Sequence, residues 1–182
     1  IIGVLVALSV SNNQKDMAFV FVQGEKPNWS IDGAYKGNEM LVARAEDKIL
    51  ELNNLRDSIE FSEYEIEVGI AQQYELMGMG KEAYTHLLAA IKINPARSLA
   101  YSNLGILLGK AGMRESAKLA HEMALDRDDN VTHRINYIQH LEQYFGDQLD
   151  LVESAHISAI TKFPNSEVLA ERYEGWKKLH DR

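Results

Sequence analysis

The chain has no cysteine in its 182 residues. That excludes a disulfide framework, a thiolate zinc site and a cysteine nucleophile, and it leaves the redox compartment open. Positive charge is scarce as well: 19 Lys and Arg stand against 27 Asp and Glu, a formal net charge of -8 with no basic cluster. This balance argues against general nucleic-acid binding, which needs a basic face. No apolar run reaches the roughly 18 to 20 residues of a spanning helix. A phosphate-binding glycine loop is missing too, because Gly78-Met79-Gly80-Lys81 lacks the spacing and the preceding strand and reads as a hairpin turn. What remains, 46% hydrophobic and 25% charged residues, is the composition of a globular protein with enough apolar side chains for a core.

The first residues, Ile1-Ile2-Gly3, open an almost purely apolar stretch to Val10, and a second apolar run covers Met17 to Val22 after the polar interval Ser11–Asp16. Two readings stay open: residues 1–10 are the remnant of a membrane anchor that starts upstream, or the two runs form a short hairpin around a polar turn. Under the membrane reading only Lys15, offset by Asp16, follows the run, which favours a non-cytoplasmic body; a soluble cytoplasmic protein is the alternative. Gly24, Pro27, Asn28, Gly33 and Gly37 then break any periodicity, so residues 1–37 read as an apolar segment and a linker. Trp29 and Tyr35 within it are expected to pack on the first helix, with an interfacial membrane anchor as the other reading.

Helical periodicity begins with Leu41, Ala45, Ile49, Leu52, Leu55 and Ile59, which predicts an amphipathic helix near 38–57 inside a segment 38–63 that is a degenerate repeat or a cap. Tyr64, Ile66, Val68 and Ile70 alternate with Glu65, Glu67 and Gly69 as a strand would. A longer pattern overrides that. Ala71, Tyr74, Gly78, Ala83, Ala90 and Pro95 recur 34 residues later as Gly105, Leu108, Gly112, Ala117, Ala124 and Asp129. A 34-residue period signals stacked helical hairpins, and residues 64–77 take the place of a first helix.

On these residues, 64–97 and 98–131 resemble consecutive tetratricopeptide repeats (TPR). The second matches better, with Tyr101, Leu104, Gly105, Leu108, Gly112, Ala117, Ala124 and Leu125 at the family's preferred positions; Asp129 and His121 depart from it, and in the first Glu67 stands where an aromatic is expected. A third unit, 132–165, has Ile135, Ile138 and Leu141, Gly146 at its turn, and Pro164 one residue late, which predicts an extra residue in its second helix. Val168, Leu169, Tyr173, Trp176 and Leu179 read as a C-terminal capping helix, with Lys177, Lys178 and His180 suited to its end. The resemblance implies an all-α, right-handed solenoid over 64–182 whose first helices line a concave groove.

Carried over from that resemblance, the groove would present Glu65, Val68, Gln72 and Glu75, then Leu99, Ser102, Ile106 and Lys110, then His133, Asn136, His140 and Gln143. The partner-binding set is Gln72, Glu75, Ser102, Asn103, Lys110, Asn136, His140 and Gln143. Only Asn103 matches the Lys, Arg and Asn set with which some relatives grip a terminal carboxylate, so amide hydrogen bonds and apolar pockets are expected to hold a bound segment. His133 and His140, seven apart with Tyr144 one turn on, lack the close-spaced ligands of a metal motif and read as surface or partner-facing side chains. His121 reads as a satisfied buried histidine, and Ser154 and His156 point in different directions. Glu63, Glu65 and Glu67 read as a solvated acidic edge that a basic ligand could use.

The function expected is therefore a non-catalytic protein–protein interaction scaffold, membrane-associated or exported, with a protein or peptide partner, no nucleic acid and no cofactor, and with self-association open. The alternative is the extramembrane C-terminal domain of a larger membrane enzyme of envelope polysaccharide or glycan assembly. Replacing Ala117 by Leu should overpack the second hairpin and cost about 1 to 3 kcal/mol in urea unfolding.

Overall fold

The structure is a computed structural model that describes residues 21–56 and 61–181; the readings that concern residues 1–20 and Ile59 lie outside the described residues. Among the described residues eight helices follow one another, each packed against its neighbours in sequence: α1 (Glu39–Asn54), α2 (Glu63–Met77), α3 (Gly80–Ile93), α4 (Leu99–Lys110), α5 (Arg114–Arg127), α6 (Val131–Tyr144), α7 (Leu149–Lys162) and α8 (Glu167–Leu179). The fold is all-α, with neighbouring helices antiparallel, consistent with an array of helical hairpins α2/α3, α4/α5 and α6/α7. None of these helices is long and apolar enough to cross a membrane.

The strand-like alternation at Tyr64–Ile70 is a helix with two buried faces. Ile66 and Ile70, one turn apart, pack with Leu52 of α1, while Tyr64, Val68 and Ala71 join the core shared with α3, α4 and α5. Ser62 and Glu65 form a capping box that fixes where α2 starts. Glu67, expected on a solvated edge, is only 6% exposed. Its carboxylate accepts from Arg56 Nη2 at 2.7 Å and lies 2.6 Å from His86 Nδ1 on α3. The other two glutamates are paired as well, Glu63 with Arg56 and Glu65 with Arg97.

Gly78 (φ 81°) and Gly112 (φ 80°) take the left-handed conformation that ends the first helix of two hairpins. Between α4 and α5 the helices approach so closely that a Cβ on Gly105 would lie 2.7 Å from the His121 ring. The extra residue of the third unit is not in its second helix. α3, α5 and α7 each span 14 residues. The additional residue lies instead in the longer turn Phe145–Gln148, where Phe145 plugs the core while its carbonyl accepts from Gln148 N at 2.8 Å.

Residues 21–37 are more than a linker. They form a strap across the turn ends of the first two hairpins, where α3 and α5 start at Met79 and Met113 without a side-chain cap of their own. The Glu25 carboxylate takes that role for α5, accepting from Glu115 N and Ser116 N at 2.9 Å each and from Ser116 Oγ. The Trp29 carbonyl accepts from Gly80 N, at the start of α3. In the other direction Asn28 N donates to Ala111 O and Tyr35 N to Leu76 O, at the ends of α4 and α2. Trp29 does not pack on α1 as expected. Its ring packs at a tilt against Phe21 and Tyr84 of α3, with centroids 6.4 and 5.0 Å away.

A carboxylate at a helix start satisfies free N–H groups and opposes the positive end of the helix dipole. Replacing Glu25 by Ala should therefore lower stability by about 1 to 2 kcal/mol, read as an earlier urea midpoint with an unchanged m-value.

Candidate functional site

The side of the array formed by α2, α4 and α6 is tied together by bonds whose partners lie 32 to 36 residues apart. Ala100 N donates to Tyr64 Oη, Lys110 Nζ to Glu75 Oε1 at 2.6 Å, Asn136 Nδ2 to Ser102 Oγ at 3.0 Å, and Tyr144 Oη to Gly109 O at 2.8 Å. His133 Nε2 lies 2.9 Å from Ser98 Oγ, and Arg97 reaches Glu65 at 3.3 Å. These bonds repeat the sequence period as physical links between successive first helices.

α4 is enclosed on most sides, burying Ala100, Tyr101, Ser102, Leu104, Gly105, Leu107, Leu108 and Gly109. The strip it leaves open is Leu99, Asn103, Ile106 and Lys110, at steps of four, three and four. On α6 the open strip is Thr132, Asn136, Gln139 and Gln143, with Asn136 half-buried. Against these strips the expected set is partly displaced. Gln72 and Gln143 are exposed; Glu75 and Lys110 are open but neutralise each other; Asn103 and Asn136 are half-buried.

Ser102 and His140, however, are 1% and 5% exposed and are not available to a partner as expected. Nor are Val68 and His133, both of which are buried. The carried-over stripe was rotated by about one residue toward the core, so Gln139 went unread and two histidines were placed outside that belong within. Their apolar surroundings, which only the neighbouring helices supply, give no local sequence signal.

His140 Nε2 donates to Arg114 O at 2.8 Å, and its ring lies 5.3 Å from His121 and 4.9 Å from Tyr144. His121 is buried as expected, yet its Nδ1 has no hydrogen-bond partner. Burial, reinforced by His140 and His133, pushes its pKa down to about 3; burial also lowers those of His140 and His133. His156, likewise buried, bonds Glu142 at 3.0 Å, which also pairs with Arg172, while Ser154 faces outward.

Asn103 is the open question on the face. Its Nδ2 is buried and has no hydrogen-bond partner, although the residue lies on the open strip of α4. Unpaired buried donors are rare because each forfeits its hydration without replacement. Chemically the face offers amides at 72, 103, 136, 139 and 143, apolar Leu99 and Ile106, and two internally compensated ion pairs, Lys110–Glu75 and Arg97–Glu65. Among the described residues no three metal-ligating side chains come together. Comparison with known protein families and with curated proteins finds no match for the chain.

The buried histidines make stability depend on pH with a defined sign. A folded pKa below the unfolded value of about 6.5 means that the unfolded chain binds more protons, so stability falls as pH drops from 6.5 toward 3. Between pH 6.5 and 5, where carboxylates stay ionised, wild type should lose stability and His121→Leu should lose less, by up to about 1.4 kcal/mol per pH unit. Urea unfolding at successive pH values checks this.

Proposed function

We propose that the chain is a non-catalytic interaction scaffold of tetratricopeptide-repeat type that holds an extended segment of a protein partner along the α2, α4 and α6 face. The observation that carries this reading is Asn103, whose buried Nδ2 stands unpaired on the open strip of α4. A peptide carbonyl is the acceptor that such a donor lacks, and a backbone recognised through amides suits a face whose charges are internally cancelled. The 34-residue register and the three hairpins support the repeat assignment. In this reading residues 1–10 tether the scaffold to a membrane, and Leu99 and Ile106 supply apolar contacts beside the amide.

Selection of 12-residue peptides on the immobilised chain tests the proposal. Peptides that bind should lose about tenfold in affinity or more on Asn103→Leu, the order expected for a lost buried hydrogen bond plus a displaced backbone. They should also weaken on Gln72→Trp, yet be indifferent to Ser154→Trp on α7, with helicity by circular dichroism unchanged throughout. Peptides whose affinity ignores Asn103 and Gln72 would overturn it.

A further inference from the structure

A second place in the molecule has the makings of a binding site, and it lies away from the first-helix face. Leu41, Arg44, Ala45 and Lys48 are spaced three, one and three residues apart, which places them on one stripe of α1. With Tyr35 of the strap and Gln73 of α2 they surround a cavity of about 240 Å³. Leu41 and the half-buried Tyr35 ring supply the small apolar part of its lining, and the buried Ala45 closes it from below. The rim is made of the Arg44 guanidinium, the Lys48 ammonium, the Gln73 amide and the Tyr35 hydroxyl.

Arg44 is set apart by what it lacks. Every other arginine among the described residues is held by a carboxylate, a carbonyl or a ring, down to Arg114 over Phe145. Arg44 has none of these, in a chain with 27 acidic residues. Among the described residues the Tyr35 hydroxyl and the Gln73 side chain also have no hydrogen-bond partner. All four rim groups can donate, and none is a carboxylate that would repel an anion. Lys48 is already engaged by Glu51 at 2.8 Å, so the uncompensated charge at the rim is close to one.

We propose that this pocket binds a small carboxylate on an apolar body. A planar guanidinium fork matches a carboxylate in geometry, and a single uncompensated charge suits a monoanion better than a phosphate dianion. The volume lies below that of pockets for drug-sized ligands, so the apolar part is no larger than an amino-acid side chain. Leu41 and the Tyr35 ring take that part; Arg44 takes the charge, and the Tyr35 hydroxyl and Gln73 fix its orientation.

The test is a titration of the ¹⁵N-labelled full chain with benzoate, and with benzamide as its uncharged counterpart. Benzoate should give saturable shifts confined to Tyr35, Leu41, Arg44, Ala45, Lys48 and Gln73, and benzamide should not. Arg44→Gln, at an exposed position, should weaken benzoate about tenfold or more with an unchanged urea midpoint. A capped Ser-Gly-Glu-Gly-Ser peptide separates the sources: tighter binding than benzoate assigns the site to an acidic side chain of a larger molecule, weaker binding to a free acid. Shifts spread over all surface lysines and arginines, equal shifts with benzamide, or an unchanged affinity in Arg44→Gln would overturn the proposal.

Discussion

A short hairpin turn leaves the ends of both its helices with backbone groups that the turn itself cannot satisfy, and the rest of this structure is arranged around that constraint. In the α2/α3 and α4/α5 turns the cap positions are held by Met79 and Met113, whose side chains offer the free N–H groups no oxygen acceptor. The strap answers from outside. It supplies a carboxylate and a carbonyl to the two helix starts, and backbone N–H groups to the two helix ends. Its path must press against the first turn to do so: a Cβ on Gly33 would lie 2.2 Å from Gly78 N. Gly33, one of the glycines that make residues 21–37 look like a linker, is thus what lets the strap backbone lie flat on the first hairpin turn.

The same economy governs charge. Glu67 on α2 is shared by His86 of α3 and Arg56 after α1, and Glu142 on α6 is shared by His156 of α7 and Arg172 of α8. In both places one carboxylate of a first helix joins its own hairpin to the neighbouring helix. Removing either carboxylate would leave an arginine and a histidine competing for solvent in a half-closed space, which is why such groups persist at helix interfaces although apolar replacements can be equally stable. Glu67 thus links α2 to its neighbours through charge rather than through apolar contact.

How much of this was legible in the sequence depends on the range of the interaction. Helical periodicity is local and the 34-residue register nearly so, and between them the helices could be read; at Tyr64–Ile70 the local alternation pointed to a strand and only the register made the segment helical. Ile66 and Ile70 face one neighbour and Tyr64, Val68 and Ala71 another, so the residues also carried the mark of a helix buried twice, which alternation alone disguised as a strand. The strap could not be read, because Glu25 meets Glu115 across 90 residues and no local pattern announces a cap delivered from so far. The lateness of Pro164 was legible, but not where the inserted residue sits; Phe145, filling the core from a turn, decides that. His133, His140 and Ser102 were misplaced because a helix face was assigned by spacing while its rotation is fixed by packing.

That rotation follows from α4. Gly105 and Gly109, one turn apart, leave a shallow channel along the helix, and rings from both sides close it: His121 from α5, and His140 and Tyr144 from α6. Tyr144 seals the far end by donating to the Gly109 carbonyl. Small residues that admit rings from two neighbours draw those neighbours close and turn α4 until only the strip from Leu99 to Lys110 remains outside. The best-kept stretch of the 34-residue register is thus the most enclosed helix, since a helix touched on three sides has the fewest positions free to vary. Asn103 is then conspicuous for a physical reason: on a helix enclosed on its other sides, its buried amide nitrogen stands without a hydrogen-bond partner on the strip that packing leaves open.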